Sequence, residues 1–211
     1  MEKELEVATK TDLKSLTTAE LEEFTEELGL MGYRADQLYQ WLYQKGASSF
    51  DEMTNLSKDL RAKLDKIAQV RRIKIHSKQQ SKDGTIKFLF QLDGPEEYKV
   101  EAVLIPDFYP DGAPNRLTVC VSSQVGCMFG CSFCATGKMG FFRNLTHGEI
   151  VDQVQIINEV AEETYGKKIT NIVYMGMGEP LANFDNVMRA IRVITDGHCG
   201  MQFSTRRVTL S

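Results

Sequence analysis

The chain has 211 residues, 42% of them hydrophobic, and a formal net charge of -4. That is enough to bury one large core or two small ones. It excludes a uniformly basic nucleic-acid binder, and no apolar run reaches membrane-spanning length. The first residues, MEKELEVATKTDLK, are of mixed charge and lack an apolar h-region, so no secretory signal is read. A soluble, cytoplasmic monomer with no membrane contact is expected.

Residues 1–14 read as frayed. A helix then opens on a capping box, Thr17 and Glu20, with Leu16 and Leu21 as the hydrophobic staple. Leu21, Phe24 and Leu28 share its inner face and Gly29 ends it. A second helix over 35–44 buries Leu38, Trp41 and Leu42. A third over 57–68 buries Leu60, Leu64 and Ile67. Residues 1–69 are thus expected to form a helical domain. Residues 70–116 read as a β-rich connector, with strands at 71–76, 85–92 and 98–105, turns at 82–84 and 93–95, and a loop over 106–114.

From residue 117 the pattern becomes strand, helix, strand, helix, strand. A strand over 117–121 precedes a cysteine loop. Thr146 and Glu149 form a second capping box, and the helix after them buries Ile150, Val154, Ile157 and Ala161. A strand at 169–175, a helix at 185–195 with Val187, Ile191 and Ile194 inward, and a strand at 207–210 complete the series. Such alternation predicts a parallel sheet with helical crossovers. A sheet ending on its third strand reads as an incomplete barrel, and the chain as a fragment.

Charge is unevenly spread. Residues 1–57 are acidic, whereas 58–87 hold ten Lys or Arg against Asp59, Asp65 and Asp83. A solvated helix face followed by a Lys-rich hairpin accounts for this. Such a basic stripe on an acidic protein can also touch phosphates locally.

The five cysteines are Cys120, Cys127, Cys131, Cys134 and Cys199. An odd count with a tight cluster reads as metal binding or catalysis in a reducing compartment. The loop is Cys127-Met-Phe-Gly-Cys131-Ser-Phe-Cys134. Three thiolates cannot close a tetrahedral structural zinc site unless His198 or Cys199 adds a fourth ligand. They can hold three irons of a cubane cluster and leave the fourth open to the amino and carboxylate groups of a small molecule. The triad follows a parallel strand at its C-terminal end, where such folds place their chemistry.

This triad resembles that of the radical S-adenosylmethionine (SAM) superfamily. Phe133, before the last cysteine, matches the aromatic residue beside the SAM adenine. Met175-Gly-Met-Gly-Glu179-Pro180 resembles the motif that holds the SAM amino group. The resemblance narrows to the ribosomal RNA adenine C2-methyltransferase family. It is carried by Gly-Tyr33-Arg34-Ala-Asp-Gln37-Leu-Tyr-Gln-Trp41, Val100-Glu101-Ala-Val-Leu-Ile-Pro106, Cys120-Val-Ser-Ser-Gln-Val-Gly-Cys127, Gly-Phe-Phe-Arg143-Asn144-Leu and Arg206-Arg207-Val-Thr-Leu-Ser211.

The resemblance implies an α/β protein: an N-terminal helical domain and β connector, then a partial (βα)6-type radical SAM barrel over 117–211. It implies a [4Fe-4S] cluster on Cys127, Cys131 and Cys134, and SAM contacts at Phe133, Gly178, Glu179 and Ser211. It also implies methylation of C2 of an adenosine in 23S ribosomal RNA, with transfer RNA as a further substrate, and an electron donor protein such as flavodoxin. In that family one SAM methylates a cysteine, and a radical from a second SAM activates the methyl, which adds to the base. Glu101 matches the proton acceptor, in a site its apolar neighbours suggest is partly buried. Cys120 matches the cysteine that resolves the RNA adduct by forming a disulfide. The methyl-carrying cysteine has no match here. Cys199 reads as incidental, and the chain alone is expected not to turn over. A C8-adenine methyltransferase and a non-catalytic metal- or RNA-binding module are the alternatives.

Overall fold

The computed structural model describes residues 10–94 and 96–211, so most of the expected frayed start and Pro95 of the second turn lie outside the described residues. The chain divides into two compact units, 1–71 and 72–211.

The first unit is helical. A two-residue strand β1 (Thr11–Asp12) leads to α1 (Thr18–Glu27), α2 (Tyr33–Tyr43) and α3 (Lys58–Ile67), and β2 (Ala68–Gln69) then pairs parallel with β1. Both halves of the Thr17–Glu20 capping box form, and Gly29 leaves the helix at φ 69°. Such a cap contributes about 1 kcal/mol. Leu21, Leu38, Leu42, Tyr43, Met53 and Leu64 are buried. Five residues expected inside this unit are not fully buried: Phe24, Leu28, Trp41 and Leu60 are half-buried and Ile67 is exposed. Ile67 ends α3 and is 38% exposed, its place in the core taken by Ala68. Trp41 is half-buried because its indole N–H donates to Asn55 Oδ1 and the Lys45 ammonium covers its ring at 3.7 Å.

The second unit is built on one mixed six-stranded sheet. Its strands are β3 (Lys74–Gln80), β4 (Ile86–Gln91), β5 (Lys99–Phe108), β6 (Pro114–Cys120), β9 (Asn171–Tyr174) and β10 (Val208–Leu210). A separate hairpin joins β7 (Gln124–Gly126) to β8 (Phe141–Asn144). The spatial order is β10-β9-β6-β5-β4-β3. β6, β9 and β10 run parallel, while β5, β4 and β3 extend the same sheet antiparallel. The strands of the expected connector therefore share one sheet with the parallel series.

Boundaries shift for physical reasons. β3 begins at Lys74, not at residue 71, because the buried Asp152 carboxylate accepts the Ile73 N–H at 3.0 Å. The expected loop 106–114 shrinks to a turn: β5 runs on to Phe108, Pro106 pairs with Leu117, and Tyr109 N–H closes on Ala113. A proline near a strand end costs little, since only one ladder donor is lost.

Two helices cover one face of the sheet, α5 (His147–Tyr165) and α6 (Phe184–Thr195); a single turn, α4 (Ala135–Lys138), follows the cysteine loop. Ile150, Val151, Val154, Ile157, Val187 and Ile194 are fully buried with Val119, Val121, Leu104 and Phe88. Each such side chain contributes about 1.5–3 kcal/mol. Strand alternation sends Val100, Ala102 and Leu104 into this core and Glu101, Val103 and Ile105 to the opposite, open face. Among the described residues, no helix is long and apolar enough to cross a membrane.

Candidate active site

The cysteine loop is a product of the β7–β8 hairpin, which sequence patterning did not reveal. Gln124 pairs with Asn144 and Val125 with Arg143; Cys127 N–H then donates to Gly140 O at 3.0 Å. Gly126 sits at φ 73°, and a Cβ there would lie 1.9 Å from Gly140 O. No other residue allows this closure. Within the loop, Phe129 N–H points at Cys127 Sγ (3.4 Å) and Cys134 N–H bonds Cys131 O (3.0 Å). Cys134 occupies the N-cap position of α4, and the Gly137 backbone N–H facing it holds its thiol below the ordinary cysteine value. Among the described residues no cysteine forms a disulfide; Cys131 is exposed, and Cys127 and Cys134 are half-buried. The disulfide implied for Cys120 is thus not formed here.

The Gly-Met-Gly-Glu-Pro segment follows β9 and packs onto residues 121–124. Gly178 adopts φ 92°, and a Cβ there would meet Gln124 Cβ at 2.5 Å. Ser123 N–H donates to Met177 O, and Met177 N–H to Ser122 Oγ, each at 2.8 Å. The Glu179 carboxylate caps the turn Pro180–Asn183 by accepting Leu181 N–H at 3.2 Å. Phe133 is 89% exposed, and Met128, Phe129 and Met139 of the same stretch of chain are exposed too. Ser211 is exposed at the end of β10.

Three residues that sequence reasoning missed hold these parts together. Gln124 accepts Glu179 N–H (3.0 Å) and Met128 N–H (3.4 Å) on one oxygen and donates to Asn144 Oδ1 (2.8 Å). It thereby ties the cysteine loop, the Glu179 segment and β8 to one side chain. Gln153 of α5 accepts Ser122 N–H and donates to Ser122 O, satisfying a buried peptide. Asn183 donates to both Ser123 O and Leu145 O at 2.8 Å. The only signal in the sequence was the polar run Ser-Ser-Gln after an apolar strand.

Glu101 and Cys120 lie on the open sheet face. Cys120 is opposite Val103, and Glu101 is two residues from Val103 on the same strand. The expectation of a partly buried Glu101 is corrected: its side chain is 47% exposed and pairs with Lys87 Nζ at 3.0 Å. Its apolar neighbours Val100 and Ala102 face the helices instead. Burial pushes the Cys120 thiol above its ordinary value, partly offset by a Met175 backbone hydrogen bond. His198 and Cys199 belong to a separate loop, where both backbone amides bond Asp196 Oδ1 and Cys199 is buried.

Comparison with known proteins agrees with this layout. Residues 11–70 match the ribosomal RNA large subunit methyltransferase N-terminal domain, and residues 121–211 match the radical SAM superfamily. A "Probable dual-specificity RNA methyltransferase RlmN" of Salinibacter ruber is 50% identical over 96% of this chain and 54% of its own. A dual-specificity RNA methyltransferase RlmN of Desulfosudis oleivorans is 48% identical over 95% of this chain and 51% of its own. A radical SAM methyltransferase from Sphaerobacter thermophilus superposes with TM-score 0.81 at 46% identity, covering 95% of this chain and 56% of that one. The chain spans about half the length of the curated relatives it matches. The match implies a four-iron–four-sulfur cluster and SAM. The donor set, three thiols on one loop, fits three irons of such a cluster and leaves one open.

Proposed function

For a chain that belongs to the radical SAM family of ribosomal RNA methyltransferases, we propose that it carries the cluster site and the acid–base residues of an enzyme that methylates C2 of an adenosine. The RNA is 23S ribosomal RNA and, in keeping with the dual-specificity relatives, transfer RNA. The observation that carries this reading is that Gln124 bonds to both the cysteine loop and the Glu179 segment, so thiols and SAM-binding edge share one support.

Cys127, Cys131 and Cys134 hold the cluster. When bound, it supplies the electron that cleaves SAM to methionine and a 5′-deoxyadenosyl radical. Phe133 offers a face for the adenine, while Gly178, Glu179 and Ser211 present the edge for the rest of SAM. C2 of adenine lies between two ring nitrogens and is too electron-poor to attack a methyl donor, so a methyl carried on a cysteine is added by radical chemistry. Glu101 then accepts the proton lost from C2. The Cys120 thiolate attacks the sulfur of the methyl-carrying cysteine; an S–S bond forms as the S–C bond to the base breaks, and the electron pair left on that carbon takes up a proton, which completes the methyl group and releases the RNA. None of this chain's five cysteines is assigned the methyl-carrying role.

The test is nucleoside analysis of ribosomal RNA treated with the longer protein, SAM and a reductant. The proposal expects 2-methyladenosine. Formation of 8-methyladenosine alone would replace it with the C8 chemistry.

A further inference from the structure

The antiparallel part of the sheet carries charge that the chemistry above does not use. Cross-strand register defines its open face row by row. Lys74 pairs with Gln91 and Gln91 with Lys99, so these three form one row across β3, β4 and β5. Ser77, Leu89 and Glu101 form the next row, and Gln79, Lys87, Val103 and Cys120 the one after. Paired residues on neighbouring strands point to the same side. Lys74, Lys87 and Lys99 therefore surround Glu101 on the face that also bears Cys120. Lys74 is exposed and Lys99 half-exposed. Among the described residues, neither has an ion pair. The sole carboxylate in these rows is Glu101, which is held by Lys87. The remaining polar groups there are amides and a hydroxyl, which bond to phosphate and ribose as readily as to water.

We propose that the Lys74–Gln91–Lys99 row is a phosphodiester-binding track that guides a single-stranded segment of RNA across β3 and β4 toward Glu101 and Cys120. Strands lie about 4.8 Å apart, so Lys74 and Lys99 stand about 10 Å apart at their backbones, within reach of neighbouring phosphates for side chains of that length. Leu89, half-exposed between the lysine row and the Lys87 row, gives a sugar or base an apolar contact. Charge complementarity selects the occupant: two cations without carboxylate partners on a flat face call for a polyanion, and the flanking glutamines offer the donors and acceptors that an RNA backbone uses. This rests on the RNA substrate class of the proposed function but concerns a surface apart from the cluster.

The test is binding of an end-labelled, mixed-sequence 12-nucleotide single-stranded RNA to the purified chain across a salt series. Lys74→Ala/Lys99→Ala is compared with wild type and with Lys168→Ala/Arg189→Ala, which removes the same charge outside this face. Each phosphate contact on a single strand adds about 0.7 to the slope of log affinity against log salt. The double variant is expected to lower the slope by about 1.4 and weaken binding on the order of tenfold at 0.1 M salt. The control pair should stay near wild type. An unchanged slope, an equal loss in the control pair, or no RNA binding by the wild type would overturn the track. So would equal binding of polyglutamate, which would mark an acidic protein as the occupant. None of these results touches the cluster, which is read separately by spectroscopy, so the two readings fail independently.

Discussion

Glu101 and Cys120 stand on the same face of one sheet, on adjacent antiparallel strands, offset by two residues in register. Neither packs into the helix-covered core, so both can be altered without opening a cavity. In the longer protein, Glu101→Gln should reduce RNA methylation on the order of 10²–10⁴-fold, the usual contribution of a positioned base. Cys120→Ala should block turnover after the first attack on RNA. Both variants should unfold within a degree or two of wild type by calorimetry. A matching loss of stability would mean that the activity loss reports unfolding.

The cysteine loop depends on a glycine. Gly126→Ala sets a methyl against Gly140 O at a positive φ, a strain of about 1–3 kcal/mol before the clash is counted. Iron content after reconstitution should fall well below that of wild type, together with the melting temperature. Full iron loading would show that the β7–β8 closure is dispensable.

The Gln153 amide satisfies both ends of the buried Ser122 peptide. Gln153→Leu keeps the volume and strands both groups, at a cost of about 2–5 kcal/mol. Denaturant unfolding should show that loss with an unchanged m value.

Tyr174 is 1% exposed and its hydroxyl has no hydrogen-bond partner among the described residues. Burial raises its pKa. A group raised in the fold stabilises below its unfolded value, near 10, and that stability is lost as pH climbs toward the folded value. Tyr174→Phe removes an unsatisfied buried group, so it should raise stability by about 1 kcal/mol at pH 7 and widen its lead above pH 10. A loss of stability at pH 7 would contradict the unpaired hydroxyl.

Cysteine reactivity should follow environment. Without the cluster, Cys134 is depressed by the Gly137 N–H and Cys120 is raised by burial. Iodoacetamide at pH 7.5 should label Cys134 before Cys120, and the rate at Cys120 should still be rising at a pH where Cys134 has levelled off. The reverse order, read by peptide mass spectrometry, would contradict these environments.

The cysteine triad stands out in the sequence because its spacing limits what three thiols can bind, and its role as cluster ligand is part of the proposal. The caps at Thr17 and Thr146 were legible because they are local. The β7–β8 hairpin was not, since strands of three and four residues carry no alternation and Gln124 finds Asn144 only through the fold. Glu101 was misjudged because flanking apolar residues suggest burial, whereas the two-residue period of a strand sends Val100 and Ala102 to one side and Glu101 to the other. Gln124 and Gln153 act on backbone groups that leave no mark in a sequence.

Cys127, Cys131 and Cys134 are proposed to hold a four-iron–four-sulfur cluster whose open iron takes SAM. The direct test is EPR of the chain, reconstituted without oxygen, reduced, and measured with and without SAM. The expected result is a reduced four-iron signal that shifts when SAM is added and is absent in Cys131→Ala. A colourless protein that holds zinc, or a cluster signal indifferent to SAM, would contradict it.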